Sequence, residues 1–350
     1  MSLGRAGAGF RQVSLGVPGA GAREVASPGV SLGVSGDGVR GVRGVSLGIS
    51  LGMSGEELWT DPGTRAARQV AEWRREGWLT DAALLERIST RPQAEWLVGP
   101  DPGPVVRART MAAARAGRLA VLVAYYVPHR DCGQFSSGGA PDGAAYRRWV
   151  DEFAAALGDR GGYVVVEPDA VAQIVAGCTR VVAEERYALL AYAVDRLTRR
   201  PRTHVYLDAG NSSWIPEPWR LVDGLTASGV AQADGFALNV SNFQTDAATS
   251  TYGDRLSRDL GGKHYVVDTS RNGNGPYTGT VGADASVGSW CNPPGRALGR
   301  APTTVTGAAP IDAYLWIKRP GESDGTCRGG PAAGEWWPSY ALELARNARG

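Results

Sequence analysis

The stretch GYVVVEPD (162–169) decides how the rest of the chain is read. It is apolar at consecutive positions through three valines, then breaks abruptly into Glu167-Pro168-Asp169. A run that is apolar at every position, not at alternate ones, is what a strand buried on both faces requires, as in a parallel sheet covered by helices. Six more runs share this texture: AEWLV (94–98), LAVLVAYY (119–126), HVYLDA (204–209), GFALNV (235–240), HYVVDT (264–269) and DAYLWIK (312–318). Helical periodicity predicts α-helices over 64–77, 80–90, 142–157 and 180–200, the second opened by Thr80 or Asp81 as its cap. About seven strands with intervening helices give an α/β class, either a doubly wound sheet or a barrel near the (β/α)₈ type.

Polar residues gather where these strands end. Pro128-His-Arg-Asp131 follows the second run and Glu167-Pro-Asp169 the third, and Asp208-Ala-Gly210 ends the fourth. Asn239 and Asn242, then Asp268-Thr-Ser-Arg271-Asn272, then Lys318, Glu322 and Asp324 follow the last three. Any one Asp at a strand end has an ordinary use as a helix cap, and Asp268 with Arg271 reads as a loop-fixing ion pair. Six clusters at the carboxyl edge, where parallel α/β folds place their sites, predict an active site there.

Composition narrows the chemistry. Lys and Arg total 37 against 35 Asp and Glu, a net charge of +2, so nucleic acid and acidic lipid are not expected partners. No apolar run reaches the roughly 20 residues of a spanning helix, and Met1 to Gly9 lacks the pattern of a signal peptide. The three histidines, His129, His204 and His264, have no metal-ligand spacing, so neither a zinc site nor any cofactor is expected. No G-x-S-x-G elbow or phosphate-binding glycine motif occurs. What remains is a set of carboxylates with 11 Trp against 5 Phe. Paired carboxylates with displayed indoles suit glycosidic cleavage, in which one carboxylic acid protonates the leaving oxygen. A Mg²⁺ site built from Asp131, Asp169 and Asp324 is the competing use.

Gly and Pro make up a fifth of the chain, much of it in residues 1–55, where Val13-Ser-Leu-Gly-Val17 recurs at Val30 and Val45. Three such copies cannot build a core, so 1–55 reads as a Gly-rich leader or a misplaced start and 56–350 as one catalytic domain. The four cysteines, with no C-x-x-C, allow three pairings and favour an extracellular protein whose bridges hold the loops bearing Asp131 and Asp324.

Six segments resemble family 6 of the glycoside hydrolases, the cellulases: HRDC (129–132) with SSGGA (136–140), VVVEPD (164–169), YLDAG (206–210), VVDTSRNGNGP (266–276), WCN (290–292) and LWIKRPGESDG (315–325). The resemblance runs from about Ala94 to Ala348. It implies a distorted barrel of about seven parallel strands and inverting, endo-acting hydrolysis of β-1,4-glucan by a secreted monomer. It further implies Asp169 as general acid, Asp131 as the neighbour that raises its pKa and relays the water's proton, Asp324 as base or charge stabiliser, and Asp208 in support. Tyr125 would crowd the sugar and Ser137 place the water. Trp96, Trp214 and Trp316 would be sugar platforms, with Asn239, Lys318 and Glu322 bonding hydroxyls. The same resemblance pairs Cys132 with Cys178 and Cys291 with Cys327.

This sequence has Asn211 where the family commonly has His, Tyr126 for a frequent Asn and Phe243 for a frequent Tyr; all four carboxylates are spared, so an active enzyme is expected. The short stretch from Asp324 to Trp336 resembles open-cleft endoglucanases, whereas the 277–289 segment is somewhat long. A cellobiohydrolase and a glycan-binding relative without turnover are the alternatives. With no cellulose-binding module visible, soluble or amorphous glucan is the expected substrate.

Overall fold

The computed structural model describes residues 55–279 and 288–349, so the repeats of the leader and most of the 277–289 segment lie outside the described residues. Seven parallel strands in sequential order form one sheet: β1 Glu95–Leu97, β2 Ala120–Ala124, β3 Gly162–Val166, β4 Thr203–Asp208, β5 Gly235–Leu238, β6 His264–Asp268 and β7 Ile311–Leu315. The sheet curls until its edges approach, with the Ala94 N–H donating to the Trp316 carbonyl at 3.0 Å. The helices are α1 Arg65–Glu76, α2 Leu79–Ser89, α3 Gly103–Arg115, α4 Gly143–Leu157, α5 Ala170–Val175, α6 Ala183–Thr198, α7 Val222–Ala227, α8 Asp246–Asp259 and α9 Pro338–Asn347.

Side-chain alternation along the strands splits the core in two. Val121 and Val123 of β2 and Tyr163 and Val165 of β3 fill the inside of the curl. Their neighbours Leu122, Ala124, Val164 and Val166 pack outward against helix residues such as Trp149, Phe153 and Leu190. Both faces are thus buried, at about 1.5–3 kcal/mol for each fully enclosed Val or Leu, which is why these strands read as continuous apolar runs.

Caps set several helix starts. Thr64 Oγ1 accepts the Ala67 N–H, Asp142 Oδ1 the Ala145 N–H at 2.7 Å, and Thr245 Oγ1 the Ala248 N–H. The expected cap of α2 is a correction. That helix begins after Trp78 with no side-chain cap, and Asp81 instead pairs with Arg346 of α9 at 2.7 Å. A second correction concerns Arg271, which pairs with Asp324 and not with Asp268. Asp268 does fix loops, but by accepting the N–H groups of Ser241, Ser270, Ile317 and Lys318.

Candidate active site

A cleft of about 660 Å³ opens at the carboxyl ends of the strands, lined by Asp131, Asp169 and Asp324 together with Trp96, Tyr125 and Trp214. The backbone bends sharply to deliver these groups. Asp131, Asp169, Asn239 and Ser241 all stand at positive φ (57°, 71°, 65° and 56°), a strained region for residues with a side chain and one that clusters at functional sites. Gly139 lets the 131–140 loop lie down, since a Cβ there would sit 2.0 Å from the Val127 carbonyl oxygen.

Asp169 differs from every other acid at this edge. It occupies the position before α5 yet does not cap that helix, and its carboxylate accepts no hydrogen bond among the described residues. Burial first, then the Asp208 and Asp131 charges, push its pKa well above the usual carboxylate range. Asp208 is only 1% exposed and lies outside the cleft lining; its Oδ2 accepts the N–H of Asp169 (2.8 Å) and of Gly210 (3.1 Å), and burial pushes it up to about 7. Of the two charges that raise the Asp169 pKa, that of Asp208 comes before that of Asp131.

Asp131 accepts the Ser136 N–H at 2.7 Å, with Gln173 Nε2 at 3.4 Å, and burial raises its pKa against the lowering pull of that N–H. Asp324 is the opposite case. Burial alone would push its carboxyl up, but the fully buried Arg271 at 2.8 Å and Lys318 at 3.3 Å hold it below the usual range, and the Asn292 N–H adds a bond at 3.0 Å. Its charge is already matched by two cations, which suits neither a Mg²⁺ ligand nor a strong base.

Tyr125, 5% exposed, meets Trp96 edge-on at 5.1 Å and carries the Arg130 guanidinium over its ring at 4.8 Å. Trp96 and Trp214 line the cleft half-buried, and Lys318 and Glu322 line it as well. Three other expected contacts are not made there. Trp316 is 3% exposed, gives its indole N–H to the Arg300 carbonyl and packs beneath α1, α2 and α9. Asn239 is fully buried, its Nδ2 donating to the carbonyls of Gln244 and Asp268 and its Oδ1 accepting the Gln244 N–H. Ser136 lines the cleft, while Ser137 stands outside it. The sequence-based site list omitted Trp290 and Phe135, which both line the cleft and meet edge-on at 6.0 Å. Trp290 was within reach as the aromatic of WCN; Phe135 carried no signal.

The unusual residues have local uses. Asn211 Oδ1 accepts from the backbone and hydroxyl of Ser213 and from the Trp214 N–H, fixing the turn that carries that indole. Tyr126 stacks on Trp149 at 5.2 Å, and Phe243 lies under the Arg271 guanidinium at 4.4 Å. Disulfides Cys132–Cys178 and Cys291–Cys327 tie the loops that bear Asp131 and Asp324.

A family model described as glycosyl hydrolases family 6 matches residues 53–348. The chain belongs to this family. Endoglucanase A of Cellulomonas fimi is 46% identical over 275 residues, covering 77% of this chain and 57% of its own length. Endoglucanase 1 of Streptomyces sp. (strain KSM-9) is 42% identical over 268 residues, 75% of this chain and 71% of its own. An endoglucanase of Mycobacterium tuberculosis, solved with a methyl-cellobiosyl-4-deoxy-4-thio-β-D-cellobioside, superposes with a TM-score of 0.76 at 45% identity, covering 84% of this chain and 98% of that one. The chain thus spans little more than half the length of the Cellulomonas member of the family.

Proposed function

We propose that the protein is an endo-acting, inverting β-1,4-glucanase with Asp169 as its general acid. The observation that carries this reading is the setting of Asp169: open to the cleft, free among the described residues of hydrogen bonds that would favour its anion, and raised in pKa by burial and neighbouring carboxylates. Such a group can deliver a proton to the glycosidic oxygen near neutral pH, where an ordinary Asp cannot.

The steps follow from the surrounding residues. A glucan chain lies along the cleft with its rings against Trp96, Trp214 and Trp290. Tyr125, immobilised by Trp96 and Arg130, presses on the sugar at the point of cleavage and favours its distortion toward the oxocarbenium shape. As Asp169 protonates the leaving oxygen, water attacks the opposite face of the ring, and its proton passes toward Asp131. Asp324 stays ionised beside Arg271 and Lys318, orienting that end of the cleft. Because no carboxylate attacks the anomeric carbon, configuration inverts. Endo action accords with the short Asp324–Trp336 connection and with relatives that bear the name endoglucanase.

Secretion belongs to the same reading, supported by the two disulfides; no helix among the described residues is long and apolar enough to cross a membrane. So does a domain boundary near residue 55, supported by the family match that begins at residue 53. On carboxymethylcellulose, the purified protein should lower viscosity early relative to the reducing ends it releases. Cellobiose release with little viscosity loss would indicate exo action, and cello-oligosaccharide binding without turnover would overturn the enzymatic reading.

A further inference from the structure

Glu167 is 1% exposed and does not line the cleft, although it stands two residues from Asp169. Its carboxylate oxygens both lie 3.0 Å from the Tyr126 N–H, and Oε2 also accepts the Val127 N–H at 3.1 Å. Arg186 of α6, 3% exposed, donates from Nη2 to the Pro128 carbonyl at 2.7 Å, with the His129 carbonyl at 3.5 Å. Four consecutive residues, 126 to 129, are therefore held through their backbones by one buried anion and one buried cation. Tyr125 precedes this held stretch and Asp131 follows it. A carboxylate holds both amides more firmly than a neutral acceptor would, since hydrogen bonds to an ionised group are roughly twice as strong as neutral ones.

We propose that Glu167 and Arg186 form a positioning clamp that sets Tyr125 and Asp131 against Asp169 for the chemical step. The inference rests on the glucanase reading above. The titratable and charged groups facing Glu167 are Tyr146 from α4, Arg186 from α6 and Tyr125 at the end of β2. Burial pushes Glu167 up to about 7 against the lowering effect of the Tyr126 and Val127 amides and of Arg186, so the clamp loosens as pH falls through that value. Asp169 must keep its proton and so governs the alkaline limb of the rate profile, leaving the clamp to act on the acid limb.

The test is Glu167→Gln in the full chain, whose one oxygen can take the place of Oε2 but carries no charge, and whose amide NH₂ cannot replace the Oε1 contact with the Tyr126 N–H. Fold is checked by circular dichroism, kcat and KM on a soluble cello-oligosaccharide are followed across pH, and amide hydrogen exchange is measured over 125–131. The expected result is a kcat reduced about ten- to a hundredfold with KM nearly unchanged, an acid limb moved to lower pH, and faster exchange in that stretch. Unchanged kcat, acid limb and exchange in a folded variant overturn the clamp. Should Glu167→Gln not fold, Arg186→Lys keeps the cation but not the reach by which Nη2 holds the Pro128 carbonyl; lowered kcat with a retained acid limb supports the clamp, and wild-type kcat overturns it. If the wild type itself shows no turnover, the glucanase reading fails, while hydrogen exchange still decides whether Glu167 holds the loop.

Discussion

At the residue scale, five aspartates share the carboxyl edge, and among the described residues only Asp169 accepts no hydrogen bond on its carboxylate. Asp268 and Asp208 accept backbone N–H groups, Asp131 accepts from Ser136, and Asp324 is paired with Arg271, so the capping and loop-fixing uses of Asp are real for its neighbours but not for Asp169. Asp169→Asn should lower kcat by about 10²–10⁴-fold for cello-oligosaccharides, and by much less for substrates with an activated aryl leaving group, which need no proton. Comparing the two substrate types checks this. Removing the charge of Asp208 should ease the repulsion that helps hold the Asp169 proton. Asp208→Asn is therefore expected to move the alkaline limb of kcat/KM to lower pH, and an unmoved limb would show that burial alone sets it. The motif resemblance implies separate roles for these acids, but residue patterns alone do not rank them, because their pKa values depend on burial and on amides brought together from separate strands.

At the scale of the element, the strands were legible because both faces are buried, and the same property hid the direction of single side chains. Trp96 and Trp316 both sit in or beside apolar runs, yet one lines the cleft and the other lies beneath α1, α2 and α9. Asn239 turns inward because its positive φ aims it at Gln244 and Asp268, and adjacent serines gave no clue that Ser136 lines the cleft while Ser137 does not. The loops themselves are pinned by disulfides closing 46 and 36 residues, worth about 4 kcal/mol each on a loop-entropy model. Replacing Cys132 and Cys178 together by Ser should lower the thermal midpoint and, because that bridge adjoins Asp131, lower kcat as well.

The opposite ends of the strands carry a different device. His204 lies between Glu56 at 2.9 Å and Asp234 at 3.8 Å, and the Asp234 carboxylate, then Glu56, raises its pKa. A raised histidine pKa contributes stability below its ordinary value, and that contribution is lost as pH rises through the raised one. His204→Gln should therefore cost about 1 kcal/mol near pH 6 and little near pH 9, as read by thermal melts at the two values.

Across the whole molecule the net charge is +2, and of the 11 tryptophans Trp96, Trp214 and Trp290 line the cleft while Trp73, Trp149 and Trp316 lie in the core. The curl of the sheet converts the strand ends into one cleft, lined by carboxylates whose pKa values are set by burial and by the charges beside them. The family resemblance and the barrel were readable from ordered motifs, whereas the lining by Trp290 and Phe135 depended on how separate loops meet. Inversion can be read directly from the product. When cellohexaose is hydrolysed and followed at once by proton NMR, the newly formed reducing end should appear first as the α-anomer and only later equilibrate with β. A β-anomer formed first would mean a covalent intermediate on a carboxylate and would contradict the mechanism.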